Sequence, residues 1–226
     1  GWLLLGLPGA IYVSGVSEVW IGIGLVVGAA LNWMFVAKRL RVYTEIAGDA
    51  QTLPDFLANR FGDTGLLKTV AAIAILVFFT FYTASGLVGG ALLFEKVFGL
   101  AYTMALLSGT FIIVSYTFVG GFFAVSWTDF FQGILMLLAL IIVPAAMFVE
   151  IGGSETMTTA LPEKMFDISP TTGAIGLISL LAWGLGYFGQ PHILVRFMAI
   201  AKPSDVAVSR NIAMGWMILA LCGALA

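Results

Sequence analysis

The stretch ISPTTGAIGLISLLAWGLGYFGQPHILV, residues 168–195, decides how this chain folds. It holds no Lys, Arg, Asp or Glu, and it exceeds the ~20 apolar residues that a helix needs to cross a bilayer core. Its second half, WGLGYFGQPH at 183–192, sets Gly184, Gly186, Gly189 and Pro191 inside that run. In hydrocarbon, a backbone interrupted in this way leaves N–H and C=O groups unpaired. That is tolerated only where they line a cavity or meet neighbouring helices. One segment therefore predicts a membrane crossing and a break within it.

Further charge-free spans lie on either side, at 1–17, 19–37, 69–94, 97–128, 130–149 and 211–226. The span 97–128 is too long for one untilted crossing; Gly120-Gly121 interrupts it, and FFAVSWTD at 122–129 reads as a turn into the next helix. The count is seven crossings, with the first and last cut by the chain ends, as in a piece of a longer protein. The composition agrees: 61% hydrophobic and 10% charged, against roughly 45–50% and roughly 25% in soluble domains. The predicted fold is all-α, a polytopic membrane helical bundle forming a single transmembrane domain over residues 1–226, with the lipid bilayer as its surroundings.

Charge placement orients the bundle. Alternating the loops puts Lys38, Arg39, Arg41, Arg60, Lys68, Arg196, Lys202 and Arg210 on one side and only Lys96 and Lys164 on the other. The positive-inside rule then makes the loops 38–68 and 196–210 cytoplasmic in a multi-pass protein of the cell membrane. Within the first of these, Leu53, Phe56, Leu57 and Phe61 share one helical face, which reads either as a short interfacial helix or as an ordinary connector. The net charge of −2 and the scattered basic residues give no footprint for nucleic acid. Cys222 is the single cysteine and His192 the single histidine, so no disulfide framework, thiolate metal site or paired acid/base set is visible, and the chain does not read as an enzyme. The acidic residues Glu18, Glu95 and Asp129 sit at span ends, which provides no proton-carrying carboxylate at mid-depth. Gly24 with Gly28, and Gly86 with Gly90, form four-residue pairs of the kind that let membrane helices approach closely.

A second weakened crossing opens the chain, where Gly1, Gly6, Pro8 and Gly9 lie in GWLLLGLPGA, residues 1–10. Either segment alone can be a simple kink. Together they fall in the first and sixth crossings, the separation expected of the five-helix inverted repeat of LeuT-type transporters, which hold solute at the midplane between two discontinuous helices. Trp2, Trp183 and Tyr187 offer flat faces with N–H or O–H groups, and Gln190 both donates and accepts, a set suited to a small amphiphilic solute. Membrane aromatics also serve interfacial belts and packing, and Tyr82 in the third crossing either lines the same cavity or bonds a neighbouring helix. His192 reads as a cap or gate.

The strings GWLLLGLPGA, TLPDFLANRF (52–61), YTFVGGFFAVSWTD (116–129) and WGLGYFGQPHILVRFMA (183–199) resemble, in this order, the sodium:solute symporter family, most closely its sodium/proline subgroup. The resemblance covers essentially the whole chain. It implies a partial LeuT-type core that carries sodium and a small solute, proline or a similar amino acid, by alternating access; a symporter-like sensor module is the alternative. It further implies that Trp2, Tyr82, Trp183, Tyr187 and Pro191 lie on the solute path and that Gly1 adjoins the first helix break. Asp129 matches an acidic loop position, which influences ion access or is simply a solvated helix end. Most sodium ligands of the family would fall before Gly1 and beyond Ala226.

Overall fold

A computed structural model describes residues 2–153, 156, 159, 161–169 and 173–225. Gly1 lies outside them. All the regular structure among them is helical: α1 (Leu7–Ser14), α2 (Val19–Asn32), α3 (Lys38–Ile46), α4 (Leu53–Phe61), α5 (Leu66–Phe98), α6 (Tyr102–Ile151), α7 (Gly173–Ala182), α8 (Pro191–Met198) and α9 (Val206–Leu225), with short π and 3-10 turns between some of them. Four helical stretches are long and apolar enough to cross a bilayer, Val16–Ile46, Leu66–Phe98, Tyr102–Ile151 and Pro203–Leu225. A fifth is the bent pair Gly173–Phe188 and Pro191–Met198, whose arms turn by 44°. The helices α5 and α6 leave Phe78, Phe81, Phe118 and Val119 largely exposed, as expected of surfaces that meet lipid tails or further protein.

The break at 183–192 takes the form of a 3-10 segment, Trp183–Phe188, between α7 and α8. It is packed mainly against α2. Glycine makes this contact possible. A Cβ at Gly24 would stand 2.7 Å from Cα of Leu181, and one at Gly28 would stand 2.5 Å from Cα of Gly184. The two backbones meet with no side chain between them, so the expected small-residue pairing of Gly24 with Gly28 is realised against the broken helix. Gly86 and Gly90, by contrast, face open space.

The first crossing differs from the sequence expectation. Its described residues are not unwound: Trp2–Gly6 is a π-helical turn that leads directly into α1. Pro8 has no N–H to offer the carbonyl four residues back, and the preceding turn widens while remaining helical. A second correction concerns 122–129. These residues are already helical, and the departure is concentrated in Gly121, at φ 52° and ψ −143°. Only glycine reaches that conformation without strain, so one residue changes the chain direction where a multi-residue turn was expected.

Two buried clusters hold the bundle. Leu7, Leu140, Ala220, Leu221 and Ala224 join α1, α6 and α9, and Ala37, Leu40, Phe197, Met198 and Val206 join the π turn Trp33–Ala37 with α3, α8 and α9. At the second cluster Leu53 and Phe56 of α4 pack inward, whereas Phe61, on the same helical face, is 68% exposed. Thr52 caps α4, its Oγ accepting from the Asp55 N–H at 3.2 Å and donating to Asp55 Oδ2 at 2.6 Å. Lys68 of α5 reaches Asp55 Oδ1 at 2.6 Å. Lys68 first and Thr52 second hold the Asp55 carboxyl below its ordinary range. The tie is thus complete above the unfolded value of about 3.9 and is lost as pH falls through the lower folded value.

Extra atoms in the seam will be poorly tolerated. Gly28→Ala and Gly184→Ala are each expected to destabilise the full-length protein by about 1–3 kcal/mol, since the clash is with backbone. Gly86→Ala, in open space within α5, is expected to be neutral or to stabilise by up to about 1 kcal/mol. Thermal unfolding in detergent compares the three, and equal melting temperatures would show that the seam is not close-packed.

Candidate functional site

The site grows from one missing hydrogen. Tyr187, in the 3-10 segment, would pass its carbonyl to the N–H four residues on in a regular helix, but that residue is Pro191, which has none. The carbonyl is instead met from across the seam. Asn32 Nδ2 donates to Tyr187 O at 2.9 Å. Asn32 is 1% exposed and lies four residues beyond Gly28, which itself lies four beyond Gly24, so the three share one face of α2. The Asn32 Oδ1 atom is buried without a partner among the described residues, and an unsatisfied acceptor of that kind costs about 1–3 kcal/mol. A π turn, Trp33–Ala37, follows immediately.

Two groups of predicted site residues form around this break. In the first, Trp2 and Trp183 lie ring against ring, with centroids 5.3 Å apart and planes inclined by 35°. Gly6 makes room for this arrangement, since a Cβ there would stand 2.7 Å from Trp2 Cδ1. The pair joins the opening segment to the broken helix. In the second, Tyr82, Gln190 and Pro191 line a mostly apolar cleft of about 380 Å³ between α5 and the start of α8, together with Phe79 and His192. Tyr82 stacks on His192 at 5.4 Å, and Phe79 meets the same imidazole edge-on at 5.6 Å. Tyr187 precedes this cleft in the chain, tied through its backbone to Asn32. A cavity with aromatic walls and an amide at its lip can hold a solute that has an apolar ring and a polar end.

Asp129 does not line the cleft; it pairs with Arg196 in the last turn of α8, one turn beyond His192. His192 sits in the first turn of α8 with its ring in the aromatic stack, and the backbone carbonyl of Gln190 accepts from Ile193 and Leu194 there. Gln190 occupies the N-cap position of α8 without a side-chain capping bond. At the far end of α8, Arg41 donates to the carbonyls of Ile200 and Ala201 and pairs with Glu45 at 3.3 Å, a cation where the helix dipole is negative. Asn32 and Arg41 are the site-building residues that sequence reasoning missed. The spacing Gly24, Gly28, Asn32 was the available signal for the first; nothing in the sequence marked the second. Among the described residues, no group of three His, Cys, Asp or Glu converges in a way that would hold a metal ion.

No solved structure matches the chain. Curated proteins do. The chain is 54% identical over 228 residues to the high-affinity proline transporter PutP of Bacillus subtilis, covering 99% of this chain and 48% of that protein. It is 50% identical over 230 residues to the sodium/proline symporter of Escherichia coli, covering 100% of this chain and 46% of that one. A sodium/proline symporter of Haemophilus influenzae is 50% identical over 233 residues, with coverages of 100% and 46%. The chain thus spans about half the length of the curated relatives it matches. The family description "Sodium:solute symporter family" matches residues 1–226, the whole of the sequence whose helical breaks and aromatic cleft have been described, and the chain belongs to that family.

Proposed function

We propose that this chain is the solute-binding part of a transporter that carries a small amino acid, L-proline foremost, together with sodium across the cell membrane by alternating access. The observation that carries this reading is the break at Trp183–Phe188, stabilised in place by α2, which presents an indole pair on one side and the Tyr82–Gln190–Pro191 cleft on the other. Proline suits such walls: its ring is apolar and its ammonium and carboxylate ask for few polar partners. Sodium is cargo here, and its ligands are proposed to come mostly from chain outside residues 1–226. The names of the relatives support the solute and the ion.

The proposed mechanism needs no covalent step. Solute and sodium bind at the midplane, stabilise an occluded conformation, and leave inward as helices rock about the site. A ligand shifts such an equilibrium only by its differential affinity for the conformations, and the inward sodium gradient supplies the drive. The break at 183–192 is read as one discontinuous helix of a LeuT-type repeat and the π turn at Trp2–Gly6 as its counterpart in the first crossing, in seven crossings.

In the proposed orientation the segment 38–68 faces the cytoplasm. The ends of the bundle support it. Thr44, Asp49 and Gln51 share a pocket with Phe122, Val195 and Met198, while Gly15 and Trp20 meet Met165 and Ile168 through the Trp20 Nε1 bond to Ile168 O at 2.8 Å. Basic loops and acidic loop thus separate.

Two experiments test this reading. Full-length protein in liposomes is expected to accumulate labelled proline when sodium is imposed outside and to lose accumulation without the gradient; no gradient-dependent uptake of any amino acid would overturn it. In the same assay Trp183→Ala, at a residue 52% exposed, is expected to raise the proline KM roughly tenfold, or about 1.4 kcal/mol, at unchanged membrane level. Separately, in full-length protein with Cys222 and any further cysteines replaced by Ser, an impermeant maleimide applied to right-side-out vesicles is expected to label Glu163→Cys and to spare Gln51→Cys. The reverse pattern would invert the topology.

A further inference from the structure

We infer that Asn32 is a positioning residue for solute: its amide replaces the backbone donor that Pro191 lacks and so fixes the Tyr187 carbonyl and the pitch of the broken helix. The inference rests on the proposed solute site.

Three observations converge. The donor is in place, with Asn32 Nδ2 2.9 Å from Tyr187 O across 155 residues of sequence. Its location is fixed, because the Gly24 and Gly28 seam holds α2 against Leu181 and Gly184 and leaves the side chain one helical turn further along, where it is 1% exposed. And the residue is a poor choice for packing alone, since its Oδ1 is buried with no partner among the described residues. A leucine would fill that volume without stranding an acceptor. The amide is explained by the one bond it makes. Trp183 and Tyr187 lie on the same short segment, and Gln190 and Pro191 follow within four residues, so a carbonyl released at Tyr187 re-aims both the indole that meets Trp2 and the rim of the cleft lined by Tyr82. Asn32 touches no solute in this scheme; it acts through the segment.

The test uses full-length protein in liposomes with a sodium gradient, and reads proline KM, Vmax and membrane level. Asn32→Leu is expected to raise KM about tenfold while Vmax and membrane level stay within about twofold. Asn32→Ala removes the donor without adding bulk. Its KM is expected to rise about tenfold as well, at unchanged membrane level. An unchanged KM in Asn32→Leu, or a fall in membrane level and Vmax at constant KM, would overturn the inference and reduce Asn32 to a packing residue. If the leucine variant fails to reach the membrane, the alanine variant decides, and an unchanged KM in it overturns the inference. Wild-type protein that accumulates no solute refutes the transport reading and this inference together, whereas sensitivity to Trp183→Ala without sensitivity to Asn32 refutes only the second.

Discussion

The contact of α2 with the Trp183–Phe188 segment is backbone on backbone, and the rest of the arrangement depends on it. Gly24 and Gly28 remove the side chains that would separate the two elements, and Gly184 does the same from the other side. With lipid tails as apolar as leucine, helices in a bilayer gain little from hydrophobic burial against one another. Close van der Waals approach and interhelical hydrogen bonds must bind them. Here the approach brings an amide within reach of a carbonyl that the chain itself has abandoned. Any wider seam would lose the bond along with the packing.

The constraint behind this is the lack of water in hydrocarbon. Each unpaired backbone group there costs several kcal/mol, so a broken helix is stable only where something else completes its hydrogen bonding. Three of the interruptions are resolved in different ways. The opening segment widens to a π turn, Gly121 concentrates the distortion in one residue, and the 183–188 segment borrows a donor from α2. Of these, only the last leaves its backbone tied to a distant side chain, and it alone both supplies an indole to the Trp2–Trp183 pair and leads into the aromatic cleft at Gln190 and Pro191.

Much of this was legible in the sequence, because the bilayer imposes length and charge rules that a single chain displays openly. The apolar spans, the glycine pair at 24 and 28 and the break at 183–192 could be read without partners, since each is a local property. What escaped was non-local. Asn32 looks like any polar residue at the end of a crossing until Tyr187 is placed beside it, and Arg41 counts merely as a positive charge until the carbonyls of Ile200 and Ala201 arrive. The form of each break was also hidden: a proline with glycines around it is compatible with a widened turn, a kink or an unwound stretch, and neighbouring packing selects among them. Of the candidate site residues, Tyr82 with Gln190 and Pro191, and Trp2 with Trp183, come together as two groups, while Asp129 joins Arg196.

The Asn32–Tyr187 bond also carries a meaning for descent. Position 32 has a donor to give because position 191 has none, and neither residue is informative without the other. A chain that exchanged the proline for a residue with an N–H would close the helix over Tyr187 and leave the amide without employment, free to drift to an apolar residue. Positions 32 and 191, 159 residues apart, are therefore expected to change together, substitutions at one being followed in related lineages by substitutions at the other.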